Sequence, residues 1–157
     1  MIADKEAQMN TDRKMQMITD PAIQIFTNRG IPMKTEYIYK DLTYRIIGCC
    51  FEAHKELGCI HKEIIYHKAL KIELRNQEIP FTDEQSINVV YKGTNIGLYR
   101  PDFIIDGKVI LEIKVLPMIP KAIQDQIYYY VKGTGYKLVI LANFGTPKVG
   151  IQRFIYT

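Results

Sequence analysis

The spacing of hydrophobic residues changes along this chain from helical to strand-like, and that change restricts the fold more than any other feature. Over residues 41–57, Tyr44, Ile47, Phe51 and His54 recur three and four apart on one stripe, with Cys50 beside them. Asp41 stands where a helix cap is wanted, and Gly58 stands where a left-handed residue closes a helix. Residues 63–76 repeat the pattern through Tyr66, Leu70 and Leu74, and Glu63 prolongs that stripe at its N-terminal end. The period then drops to two. Residues 86–91 alternate, 92–95 turn, 96–105 are extended with a break at Pro101, Asp106-Gly107 turns again, and 109–115 are β-rich. Residues 123–132 return to a helical period and end at Gly133-Thr134-Gly135. Residues 137–142 form a continuous apolar run of the kind buried on both faces, and 151–156 make a last strand. The order α α β β β α β β predicts an α/β fold with a central mixed sheet flanked by helices.

A chain of 157 residues holds one such domain, expected over residues 36–157. Residues 1–35 read as an N-terminal extension, expected to be flexible. They carry five methionines, counting Met33, and a turn cluster at Asn28-Arg29-Gly30-Ile31-Pro32. Met33 is a candidate start, and a short docked helix at 13–18 is the other possibility. Hydrophobic residues at 47% and charged residues at 24% exclude a disordered chain. No apolar run approaches a membrane span, and the first residues lack the apolar segment of a secretory signal. The net charge of +4 permits a nucleic-acid partner without demanding one. Three cysteines without CxxC spacing argue against a zinc or iron–sulfur site and fit a reducing, cytoplasmic setting.

The charged residues of the strands carry the chemistry. Asp102 follows Arg100-Pro101, and Glu112-Ile113-Lys114 interrupts an apolar strand. Alternation puts Glu112 and Lys114 on one face. Charges among apolar strand residues are costly unless paired or bound to an ion. A two-residue turn at Asp106-Gly107 would place Asp102 and Glu112 on opposite faces. A three-residue turn, 106–108, sets them directly opposite each other, so a shared site requires an odd-length turn or a bulge. Two carboxylates with a main-chain carbonyl, that of Ile113, suit Mg²⁺ or Mn²⁺. A surface ladder of Glu112 with Lys114 or Lys108 is the alternative. Gln126 and Tyr130 then fall on one face of the last helix, beside Tyr128 and Tyr129.

Asp102, Glu112-Ile113-Lys114 and Gln126-x-x-x-Tyr130 in this order resemble the PD-(D/E)XK nuclease superfamily, and the QxxxY element resembles its RecB-like branch. A closer likeness, over residues 37–156, is to the small bacterial GxxExxY family. It rests on residues 41–48, 53–58, Glu63-x-x-Tyr66, Tyr99-Arg100-Pro101-Asp102, Glu112-Ile113-Lys114 and Asn143-Phe144-Gly145. One departure is Ile60, which stands where the naming motif opens with glycine; Gly58 is kept. The resemblance implies a restriction-endonuclease-like αβββαβ core and a metal-dependent nuclease hydrolysing phosphodiester bonds, of DNA in the first place. It implies Asp102, Glu112 and the Ile113 carbonyl as metal ligands, and Lys114 as the residue that assists attack by water.

By the same resemblance, Glu63 is an additional acid; a first-turn glutamate favoured by the helix dipole is the alternative. His54 is an additional ligand, or a satisfied core histidine. Gln126 and Tyr130 hold Lys114 or the nucleic-acid backbone. Arg100 is a candidate phosphate contact or an exposed ion pair. Lys121, Lys132, Lys137, Lys148 and Arg153 make a basic rim or a solvated face. The competing function is a non-catalytic module with a nuclease-like fold that binds nucleic acid or protein. A protein partner or a homodimer is compatible with either reading.

Overall fold

The structure, a computed structural model, describes the backbone of Ile23–Thr27 and residues 38–156. The elements run β1 (Ile23–Thr27), α1 (Lys40–Leu57), α2 (Glu63–Asn76), β2 (Phe81–Asp83), β3 (Ile87–Tyr91), β4 (Thr94–Tyr99), β5 (Phe103–Ile105), β6 (Val109–Lys114), α3 (Lys121–Lys132), β7 (Leu138–Asn143) and β8 (Gly150–Ile155). Six strands form one mixed sheet in the order β1-β8-β7-β6-β5-β2, and β3 and β4 form a separate hairpin. The parallel β6–β7 pair is joined through α3, as parallel neighbours require a crossover.

Both faces of the sheet are covered, so β6 and β7 read as unbroken apolar runs. Ile46, Cys50 and Ala53 of α1 and Tyr66, Leu70 and Leu74 of α2 share a core with Leu111, Ile113, Ile140 and Ala142. The strand residues between them turn to the other face. There Ile110, Val139, Leu141 and Phe154 meet Ile127 and Val131 of α3. This is the α/β architecture, a mixed sheet flanked by helices, that the element order predicts, and it is consistent with the restriction-endonuclease-like core that the resemblance implies. Among the described residues, no helix is long and apolar enough to cross a membrane.

Several local expectations change. The buried stripe of α1 runs through Thr43, Ile46, Ile47, Cys50 and Ala53. Tyr44, Phe51 and His54 flank it, partly buried. Asp41 is not the cap; it lies in the first turn, and Tyr39 in a left-handed conformation precedes the helix without a side-chain cap. The extended run 96–105 divides at Pro101 into two strands of different sheets; proline cannot continue the ladder. β2 is three residues long and pairs antiparallel with β5. The sheet begins inside the leading segment, where β1 pairs parallel with β8. The helix considered at 13–18 and the candidate start at Met33 lie outside the described residues.

Candidate metal-dependent catalytic site

The turn between β5 and β6 decides whether the two acids meet. Ile105 pairs with Val109, so the turn holds three residues, 106–108. Asp106 and Gly107 both take positive φ, 50° and 63°. Glycine enters that region at little cost, and aspartate is among the few other residues that tolerate it. The Lys108 N–H donates to the Ile105 carbonyl at 2.9 Å. Continuing the register of Phe103 with Leu111 by one residue sets Asp102 opposite Glu112. Directly opposed residues of an antiparallel pair share a face.

Pro101 shapes the next position. The same register sets Pro101 opposite Ile113. The Ile113 N–H donates to Asp102 Oδ2 at 2.7 Å, which orients that carboxylate. The Ile113 carbonyl points to the same edge of the strand as its N–H. Proline has no N–H to offer it, so the ladder leaves this oxygen for another partner. Asp102 and Glu112 therefore face each other where β5 gives out, with the Ile113 carbonyl on the strand edge that Asp102 occupies.

Glu112 is 7% exposed. Burial pushes its carboxyl up to about 8, with the adjacent Asp102 charge adding to the shift, while the hydrogen bond from Tyr99 and the Lys114 charge oppose it. The Tyr99 hydroxyl, at the end of β4, donates to Glu112 Oε1. Burial and the Glu112 carboxylate hold that phenol far above its usual range, so it stays a donor. Lys114 ends β6, with its ammonium 3.7 Å from Glu63 Oε1. Burial raises the Glu63 pKa, Lys114 lowers it and Asp102 raises it again.

Three carboxylates thus share the neighbourhood of one ammonium. That excess of negative charge, built from hard oxygen donors and partly desolvated, fits a divalent cation such as Mg²⁺ or Mn²⁺. Among the described residues, no three His, Cys, Asp or Glu side chains form a metal cage of their own. The donor set that fits is two carboxylates with a main-chain carbonyl.

The other anticipated residues divide. Tyr130 stacks on Tyr99 with ring centroids 5.4 Å apart and planes within 8°, and its outer surface is exposed. Gln126 is exposed one turn earlier on α3. The His54 Nε2 lies 2.8 Å from the Thr146 carbonyl. A carbonyl only accepts, so Nε2 carries the proton in this pair, and the ring anchors the loop after β7. Arg100 bonds the main chain and carboxylate of Glu84 at 2.7 and 3.3 Å, an exposed pair. Arg153 is buried at 6% exposure and reaches the Ile38 carbonyl, so it leaves the expected basic rim. Lys121 is paired with Asp125 one turn on.

The supporting roles of two residues are not read from the sequence, although both stand in stretches that carry the family likeness. Tyr99 is one, and its place just before Arg-Pro-Asp was the available signal. The other is Asn143. Its Oδ1 accepts from Leu116 and Gly145 N–H at 3.0 and 3.1 Å, and its Nδ2 donates to the Leu116 carbonyl at 2.9 Å. The Phe144 N–H donates to the Lys114 carbonyl at 2.8 Å. Gly145 permits this approach, since a Cβ there would lie 2.4 Å from the Leu116 nitrogen. The Asn-Phe-Gly segment is therefore a clamp on the chain just beyond Lys114. Tyr66 closes the opposite side. It is fully buried, stacks on Phe144 at 4.6 Å and donates to the Gly58 carbonyl at 2.6 Å. That contact ties the loop before α2 and holds Glu63 one turn ahead.

The profile of the PD-(D/E)XK nuclease superfamily matches residues 40–154. No curated protein and no solved structure matches the chain significantly. The matched span runs from the first residue of α1 into β8 and contains the opposed acids, the Lys114 strand end and α3. The chain belongs to the PD-(D/E)XK nuclease superfamily.

Proposed function

We propose that the protein is a metal-dependent nuclease that hydrolyses phosphodiester bonds, with DNA as its substrate. The observation that carries this reading is Asp102 facing Glu112 across the β5–β6 register, two residues from Lys114. Asp102, Glu112 and the Ile113 carbonyl would hold Mg²⁺ or Mn²⁺, and a bound ion of this kind polarises a phosphodiester and acidifies water.

The chain's own residues do the rest. The Lys114 ammonium balances charge that grows on the phosphoryl oxygens and orients the attacking water. Glu63 keeps that ammonium at the strand end until substrate arrives. Tyr130 offers an exposed aromatic edge for the nucleic acid, with Gln126 one turn away on the same face of α3. Arg100 reaches a backbone phosphate by exchanging its exposed Glu84 partner, a pair weak enough to be replaced. His54 supports the loop behind Lys114. Membership of the narrower GxxExxY family is part of the proposal and is supported by Tyr66 and the Asn-Phe-Gly clamp. A cytoplasmic location is supported by Cys49, Cys50 and Cys59, all unpaired thiols.

The test is a cleavage assay with labelled linear single- and double-stranded DNA and RNA, in Mg²⁺, Mn²⁺ or EDTA. Metal-dependent cleavage of DNA is the expected result. Preference for RNA would correct the substrate, and inertness on every polymer together with failure to bind either ion would overturn the reading.

A further inference from the structure

Tyr99 has no part in the family signature that points to catalysis, yet it touches the deepest of the acids. It is 9% exposed, and Glu112 is 7% exposed. Its hydroxyl donates to one oxygen of the Glu112 carboxylate. Its ring sits in the core of the α3 face with Ile110, Ile127 and Val131, and forms the surface on which Tyr130 stacks. The phenol is therefore fixed at both ends.

The choice of a phenol has a consequence. A lysine or arginine at this place would cancel the charge of Glu112 and weaken its pull on a cation. A neutral donor satisfies one carboxylate oxygen, leaves the charge in place, and fixes the torsions of the side chain. Glu112 also meets the side chain of Asp102, whose own carboxylate is fixed by the Ile113 N–H. Each acid thus has one oxygen held by the protein, and the two side chains meet.

We propose that Tyr99 is a positioning residue: its hydroxyl holds Glu112 in the orientation that presents the free carboxylate oxygen, beside Asp102, to a divalent cation. This rests on the metal-binding reading above. Groups that orient metal ligands typically contribute 10–100-fold in affinity.

The test is a calorimetric titration of the full-length protein with Mn²⁺, comparing wild type, Tyr99→Phe and Tyr156→Phe. Tyr156 is the control. Its hydroxyl donates to the Tyr128 carbonyl at 2.9 Å in the same core rather than to either acid. Both variants lose one buried hydrogen bond and should melt somewhat lower, but only Tyr99→Phe should weaken Mn²⁺ binding, by ~10–100-fold. Tyr156→Phe should stay within about twofold of wild type, below the effect expected of a ligand-orienting group. If Tyr99→Phe is too unstable to titrate, all three proteins are measured with an excluded osmolyte that favours the folded state. Equal affinity of Tyr99→Phe and wild type would overturn the role of Tyr99 and leave the metal site standing. Absence of Mn²⁺ binding by wild type would overturn both.

Discussion

Replacing Glu112 by glutamine should make the metal-free protein more stable, and increasingly so as pH rises. Glu112 titrates near 4.5 when unfolded and near 8 when folded, through burial first and the Asp102 charge second. The folded state therefore prefers the protonated acid. Its contribution is fully present below pH 4.5 and is lost as pH climbs through 8. Linkage converts that shift into a cost on wild type of under ~1 kcal/mol at pH 5, ~3 kcal/mol at pH 7 and ~5 kcal/mol at pH 9. Glutamine keeps the shape and cannot ionise, so the variant escapes the cost. The assay is urea unfolding of both proteins in EDTA at pH 5, 7 and 9; other titrating groups are common to both and cancel. The expected result is a stability gap in favour of Glu112→Gln that widens by ~4 kcal/mol between pH 5 and 9. For a domain of this size that corresponds to roughly 2–4 °C in Tm per kcal/mol. An unchanged gap would mean that Glu112 ionises freely in the folded protein, and the account of a desolvated, charge-crowded site would fail.

Further predictions follow from the same contacts. Binding of Mn²⁺ requires the ionised Glu112, so affinity should rise up to about tenfold per pH unit between pH 6 and 8 and level off above; a flat profile would exclude Glu112 as a ligand. Asn143→Ala removes three part-buried hydrogen bonds, two to Leu116 and one from Gly145, and should cost ~2–4 kcal/mol in urea unfolding, with a loss of activity at temperatures where the variant is still folded. Tyr130→Phe should leave cleavage near wild type, because its ring supplies the stacking surface on Tyr99. Tyr130→Ala should weaken binding of single-stranded DNA by ~1–3 kcal/mol, measured by fluorescence anisotropy in EDTA.

The parts of the site legible in the sequence are those set by counting. Alternation put Glu112 and Lys114 on one face, and the parity of the 106–108 turn determined whether Asp102 joined them. Helical spacing found the Tyr66, Leu70 and Leu74 stripe because those residues share one buried face of α2. What escaped depends on contacts between distant segments. Tyr99 ends an otherwise exposed strand, and its role comes from where the β3–β4 hairpin packs against α3 and β6. β1 and β2 both lie at the sheet's edges: β2 has only three residues, too few to establish a period, and β1 falls in the leading segment that reads as an extension. Arg153 looked like a surface cation because its charge was read without its strand, whose burial places it at the interior. His54 shares its helix with the buried stripe, yet its partner is a carbonyl 92 residues away in sequence, which no local pattern signals.

In the proposed mechanism Asp102, Glu112 and Lys114 act together on a phosphodiester. Single-turnover cleavage of labelled DNA in Mg²⁺ or Mn²⁺ by wild type and Lys114→Ala, with both folds checked by circular dichroism, tests it most directly. Wild type should cleave in a way that EDTA abolishes, and Lys114→Ala should be slower by ~10²–10³, the usual effect of removing a group that stabilises developing charge. Cleavage by the folded variant at the wild-type rate, or cleavage that persists in EDTA, would contradict it.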